Sequence, residues 1–177
     1  YSVAKFDITS QVTNNHQLKG GLEYRTYELW FDEFDIRKKR EGDAEVMPFQ
    51  PSIESTATIY HDTYTRHPVE FSAYVQDKIE FKHIIMNAGV RFDYFNSNGV
   101  VIADPEDPNI FDPFKYEHQY KHWVSPPPGL SQLEFEQYLA EFEEYSPDER
   151  RDFMHKAAQS KNQISPRLGI AYPISDQ

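Results

Sequence analysis

The chain has 177 residues, 38% of them hydrophobic and 15% aromatic, which suits one domain, or a piece of a larger one, and is too short for several. Its 29 Asp and Glu against 18 Lys and Arg leave a net charge of −11, which argues against a surface that neutralises nucleic-acid phosphates. The absence of cysteine excludes disulfide frameworks, thiolate zinc sites and Cys nucleophiles, and leaves the redox compartment open.

No run of about 18 apolar residues occurs, so no transmembrane helix is expected. No charged-plus-apolar leader precedes the first patterned segment, so no signal peptide is expected within the chain. A transmembrane β-barrel passes both tests, because its strands alternate. From Val3 to Val12, Ala4, Phe6, Ile8 and Val12 fall on one side, with Ser10 the exception. Lys5, Asp7, Thr9 and Gln11 fall on the other. Period two predicts a strand over about 3–12. Thr13-Asn14-Asn15-His16 suits a tight reversal, since Asn tolerates left-handed backbone. In the next strand, about 17–29, Leu18, Leu22 and Tyr24 oppose Lys19, Glu23 and Arg25.

A long loop over about 30–68 carries Arg37-Lys38-Lys39-Arg40, then Pro48, Pro51 and a Ser/Thr-rich stretch, and reads as a solvated surface loop. A strand over about 69–81 sets Val69, Phe71, Ala73, Val75, Ile79 and Phe81 against Glu70, Ser72, Tyr74, Gln76, Lys78 and Glu80, and Asp77 alone breaks the apolar row. After a reversal near Lys82-His83, a strand over about 84–95 alternates Ile84, Met86, Ala88, Val90, Phe92 and Tyr94 with Ile85, Asn87, Gly89, Arg91, Asp93 and Phe95.

The second long loop, about 96–162, starts with the turn Asn96-Ser97-Asn98-Gly99 and an acidic, Pro-broken stretch from Asp104 to Asn109. Ser125-Pro126-Pro127-Pro128-Gly129 then stops any regular element. A helix over about 132–144 is predicted by the capping box of Ser131 with Glu134 and by the stripe of Phe135, Tyr138, Leu139 and Phe142. A second helix over about 147–158 is predicted by Ser146 as cap, Pro147 in first position and Glu149, with Phe153, Met154 and Ala157 turned toward the first helix. A helical hairpin inside the loop is the expectation. In the last strand, about 163–173, Ile164, Pro166, Leu168, Ile170 and Tyr172 oppose Gln163, Ser165, Arg167, Gly169 and Ala171. Pro166 marks a strand start or irregular pairing there.

Short turns alternate with loops far beyond the usual length of about 4–6 residues. The expected fold is therefore mainly β: an antiparallel up-and-down meander whose long-loop end does the recognising, the asymmetry of bacterial outer-membrane barrels. With the strands placed, Phe71-Ser-Ala-Tyr-Val-Gln-Asp-Lys-Ile79, Asn87-Ala-Gly-Val-Arg-Phe-Asp-Tyr94 and Ser165-Pro-Arg-Leu-Gly-Ile-Ala-Tyr172 resemble barrel strands of TonB-dependent outer-membrane receptors. The likeness covers the strands, under half of the chain. It implies a large transmembrane barrel of about 22 strands, of which residues 1–177 are a mid-barrel part. No plug domain, energy-coupling box or terminal aromatic strand is found in the chain.

The resemblance further implies the bacterial outer membrane as location and import of a scarce ligand: an iron chelate, cobalamin, a glycan or a peptide. The implied partners are the receptor's own plug domain and remaining strands, a TonB-type energy-coupling protein, outer-membrane lipid and that ligand, with no nucleic acid. A soluble, secreted β-sandwich binding module is the alternative. Its turns usually come every 8 to 12 residues, unlike these gaps.

Candidate site residues are the polar row of Lys5, Asp7, Glu23, Arg25, Arg91, Asp93 and Arg167. They would face the lumen and guide a ligand or contact a plug, or simply pair with one another across the sheet. Tyr24, Phe92, Tyr94 and Tyr172, near strand ends, fit interfacial girdles. Asp104, Glu106, Asp107 and Asp112 offer hard oxygen ligands for calcium but match no EF-hand. The close histidine pairs, His61 with His67 and His118 with His122, fit no zinc motif. Glu141 with Glu144 is a carboxylate pair on what reads as a solvated helix face. No nucleophile or phosphate-loop motif occurs, so no enzyme, metal or cofactor is expected.

Overall fold

The computed structural model describes residues 1–172; the predicted strand end at residue 173 lies outside them. In chain order, β1 (Ser2–Gln11) and β2 (His16–Thr26) form the first hairpin. The first insertion holds β3 (Leu29–Phe34), β4 (Ile36–Lys38), β5 (Arg40–Glu41), β6 (Ala44–Glu45), β7 (Pro51–Ile53) and β8 (His61–Arg66). The second hairpin is β9 (Val69–Glu80) with β10 (Ile85–Asn96). The second insertion holds β11 (Val100–Ile102), α1 (Tyr116–Gln119), α2 (Gln132–Leu139), α3 (Pro147–Phe153) and β12 (His155–Ala157), and β13 (Lys161–Ala171) follows.

Two compact units result. The first comprises Tyr1–Leu29, Thr65–Gly99 and Ala158–Gln177, the second Trp30–Tyr64 and Val100–Ala157. The first unit is a five-stranded antiparallel sheet in the order β1-β2-β9-β10-β13. Its register keeps each row on one face: Phe6 lies opposite Leu22, Leu22 opposite Ala73, Ala73 opposite Phe92 and Phe92 opposite Ile164. Directly opposed residues share a face, so the apolar rows merge into one apolar surface and the charged rows into one polar surface. The apolar surface is open: Phe6 is 61% exposed, Leu22 50% and Leu168 72%. Among the described residues both edge strands, β1 and β13, have a pairing partner on one side only.

The polar break in the apolar row has a partner that the sequence reading placed in a turn. The His16 ring donates from Nδ1 to Asp77 at 2.7 Å. These two side chains meet because His16 opens β2 opposite Ile79, two residues along β9 from Asp77.

The second unit departs from the expected loops. Residues 30–68 are not a plain solvated loop. They fold as two-stranded ribbons, β3 with β8, β4 with β7 and β5 with β6. Both expected helices are shorter than predicted. The chain leaves α2 after Leu139 because 143–145 is drawn into extended pairing with 119–121: Lys121 N–H donates to Glu143, Tyr145 N–H donates to Gln119, and Tyr120 bridges Glu144. The chain leaves α3 after Phe153 because 155–157 becomes β12 on β11, where Ala157 pairs with Val100 instead of facing α2. Both capping boxes form as read, on Ser131 with Glu134 and Ser146 with Glu149.

The apolar stripe of α2 meets aromatic rings. Phe135 lies 5.6 Å from Tyr116 and Phe142 lies 5.1 Å from Trp123, while Tyr116 stacks on Trp123 at 4.8 Å. Among the described residues Met154 is buried at 2% exposure, and Pro68, Asp107, Pro113 and Arg150 are buried as well.

Candidate functional site

All seven predicted site residues lie in the polar rows of the sheet, by register with one another: Lys5 opposite Glu23, Gly21 between Asp7 and Tyr74, Arg91 opposite Tyr74, and Arg167 opposite Gly89. Toward the end of the sheet that leads into the long insertions, a cavity of about 450 Å³ is lined by Glu23, Arg25, Glu70, Arg91, Asp93 and Lys161 with Tyr94 and Phe95. Four of the seven predicted residues, Glu23, Arg25, Arg91 and Asp93, therefore meet in one place. Lys5, Asp7 and Arg167 do not belong to it.

The charges pair mainly along single strands rather than across the sheet. Residues i and i+2 share a face, and long Arg and Lys side chains fold back to their neighbour two positions away. Arg91 donates from Nε to both Asp93 oxygens at 2.7 and 3.0 Å, Arg25 bonds Glu23, and Lys5 lies 3.4 Å from Asp7. Arg25 also reaches across to Glu70 at 3.9 Å, and Glu70 accepts from the Tyr27 hydroxyl at 3.1 Å. The buried Nε of Arg25 has no partner among the described residues. Arg167 has no ion pair there either.

Asp7 belongs to a second polar cluster, in which the Tyr74 hydroxyl donates to it at 2.6 Å across the intervening strand. That reach depends on Gly21, where an added Cβ would stand 2.4 Å from Asp7 Oδ1 and 2.5 Å from the Tyr74 ring. The sequence reading selected neither Glu70 nor Tyr74, although both stand in the polar row of β9. Only register brings them beside the selected residues.

The acidic stretch of the second insertion has internal partners. Asp104 and Glu106 both accept from Lys115 Nζ, at 2.5 and 3.2 Å. That pairing holds the Asp104 carboxyl below its ordinary value and the Lys115 ammonium above its own. Asp107 is fully buried and accepts from the N–H groups of Phe114 and Lys115 and from the His118 ring. Burial opposes its charge, but the Lys115 N–H, the His118 ring and the Phe114 N–H outweigh that and keep its pKa low.

No group of three or more acidic or imidazole side chains placed to hold a metal ion occurs among the described residues. His118 and His122 do not share a helix face, since α1 ends at Gln119 and His122 has a positive φ of 54°. His61 donates to the Glu54 carbonyl at 2.8 Å and to Asp32 at 2.9 Å. The Glu54 carbonyl and then Asp32 raise its pKa above 6.5. Glu141 and Glu144 are both exposed.

An open sheet with one apolar and one polar face, short turns at one end and long insertions at the other, is the wall of an up-and-down barrel. The family described as TonB dependent receptor-like, beta-barrel, matches residues 2–177, and the chain belongs to it. Over 104 residues, 56% of this chain, it is 31% identical to the TonB-dependent heme receptor A of Haemophilus influenzae (strain ATCC 51907 / DSM 11121 / KW20 / Rd). The chain spans 13% of that receptor's length. No solved structure matches. The family is one of receptors and transporters, and the β-sandwich alternative is not favoured.

Proposed function

We propose that the chain is a stretch of wall and two outward loops of a bacterial outer-membrane receptor that captures a scarce ligand and imports it. The carrying observation is the sheet itself, whose apolar rows leave exposed side chains on each of the five strands while its charged rows collect on the opposite face. In this reading the apolar face meets outer-membrane lipid and the polar face lines the lumen. The cavity around Arg25, Glu70, Arg91 and Asp93 then meets the plug domain or a passing ligand. Further strands of the parent protein pair with β1 and β13, and a TonB-type protein supplies the energy. The ligand class is an iron chelate, cobalamin, a glycan or a peptide; heme is the first to test, because one relative is named a heme receptor.

Topology is tested by adding protease to intact cells that express the parent protein. Cleavage is expected within Arg37–Arg40, in the first insertion, or at Lys156, in the second. Cleavage only after the outer membrane is opened would contradict the placement. Uptake is tested by deleting the parent gene and supplying heme as sole iron source. Lost growth, restored by the gene, supports heme; unchanged growth on every ligand class would contradict the transport role.

A further inference from the structure

The geometry points to a second binding site, in the first insertion, for a phosphate-bearing ligand: a cavity of about 720 Å³ lined by Arg37, Lys38, Lys39, Arg40, Ser52 and Tyr60, with Glu45 and Glu54 among its other walls. A run of four consecutive cations is ordinarily a solvated, self-repelling stretch. Here its backbone is pinned on both sides. β4 pairs Arg37 with Ser52 and Lys38 with Pro51, while β5 pairs Arg40 with Glu45. Between them, Lys39 N–H donates to Gln50 and Lys39 C=O accepts from Val46. The run is therefore held by strand pairing at Arg37, Lys38 and Arg40 and by two backbone hydrogen bonds at Lys39, and all four residues line the one cavity.

The four cations differ in their partners. Lys38 is neutralised by Glu45 at 2.9 Å, and Arg40 bonds the Asp43 carbonyl at 2.7 Å. The Arg37 guanidinium lies 3.7 Å from the centre of the Tyr60 ring. Tyr60 is held in register by its carbonyl, which accepts from Asp35 N–H at 2.8 Å. A guanidinium stacked by its face keeps its N–H edge available for a bidentate oxyanion. Lys39 has no ion pair or side-chain hydrogen bond among the described residues. Arg37 and Lys39, with Ser52 paired opposite Arg37, thus bring two cations and a hydroxyl to one cavity. That set fits a tetrahedral phosphate on a sugar, either free or carried by a glycolipid.

The test uses the full-length receptor that contains this chain, purified in detergent. Fructose 1,6-bisphosphate is the soluble probe, and lipopolysaccharide with and without its phosphates is the lipid-linked one. Affinity for the phosphorylated probe should fall about tenfold in the Arg37→Ala/Lys39→Gln double variant and about threefold in Tyr60→Leu, which removes the ring beneath the guanidinium. Lys82→Gln, in the short turn between β9 and β10, should bind as wild type. The gel mobility of the folded barrel is checked for each variant. Should the double variant not fold, Lys39→Gln alone carries the comparison, since its side chain bonds to nothing described.

Phosphate-dependent binding of the sugar bisphosphate supports the site and a soluble source; binding of phosphorylated lipopolysaccharide alone supports it and assigns the source to lipid. No phosphate-dependent binding of either probe, or equal affinity in wild type and a folded variant, overturns it. None of these measurements requires transport, so a receptor that binds but imports nothing contradicts the proposed function and leaves this site standing.

Discussion

The sheet and the insertion unit are held together by different physics. In the sheet, order comes from long, regular ladders, and every strand carries exposed apolar side chains or, on β9, one such side chain, Val75. Such a surface is stable only against lipid or another protein layer. In the insertion unit, order comes from a few buried polar groups and a packed set of rings: Asp107 gathering three N–H donors, Arg150 donating to the Ile110 and Phe111 carbonyls, and Trp123 between Tyr116 and Phe142. The sheet should therefore tolerate loss of single polar contacts and fail when its apolar face is charged. The insertion unit should behave in the opposite way.

The sharpest break falls on the insertion unit. Asp107→Ala strands two backbone N–H groups and the His118 ring in a buried place and should cost about 3–5 kcal/mol locally. Hydrogen exchange should show lost protection over residues 114–121 while the ladders of β9 and β10 keep theirs. Next comes the apolar face: Leu22→Arg or Val90→Arg near mid-membrane should cost about 2–4 kcal/mol in urea unfolding from lipid vesicles. Gly21→Val forces apart Asp7 and Tyr74 and should cost about 1–3 kcal/mol by the same measurement. Arg91→Ala, which removes one partly exposed ion pair, should cost under about 1 kcal/mol.

The smallest effects are those of pH on the insertion unit. Hydrogen bonds from Lys121 and from the Ser146 N–H and hydroxyl depress Glu149 from 4.5 to about 2. Its contribution is present above pH 4.5 and lost as pH falls toward 2, which NMR titration of the Glu149 carboxyl should show as loosening of the α3 N-terminus. His61 is shifted upward, so its contribution is present below pH 6.5 and lost as pH rises through its folded value. The β3–β8 amides should then lose protection, taken relative to the intrinsic exchange rate at each pH, as pH rises through that value.

The same division explains how much could be read from the sequence. Strand identity and facing follow from period two, which is local, so the polar rows with Glu23, Arg25, Arg91 and Asp93 were legible before any pairing was known. The partners Glu70, Tyr74 and His16 were not, because they become neighbours only through inter-strand register. In the insertions, the capping boxes on Ser131 and Ser146 are local and were legible. The ends of α2 and α3 were not, since each is set by pairing with a distant segment, 119–121 and Val100–Ile102. Of the ribbon strands, β4 to β7 are two or three residues long, too short for periodicity to emerge, and the six-residue β3 and β8 carry no strict alternation of apolar and polar residues.

Because the chain lacks cysteine, single cysteines can be introduced along β2, β10 and β13 of the parent receptor, with any cysteines elsewhere replaced, and spin-labelled in lipid vesicles. Labels at Leu22, Val90 and Leu168 should collide with oxygen dissolved in the bilayer, while labels at Glu23, Arg91 and Arg167 should collide with a water-soluble nickel complex, alternating residue by residue. Equal access of both agents to the two rows, or oxygen excluded from the apolar row, would contradict a lipid-facing barrel wall.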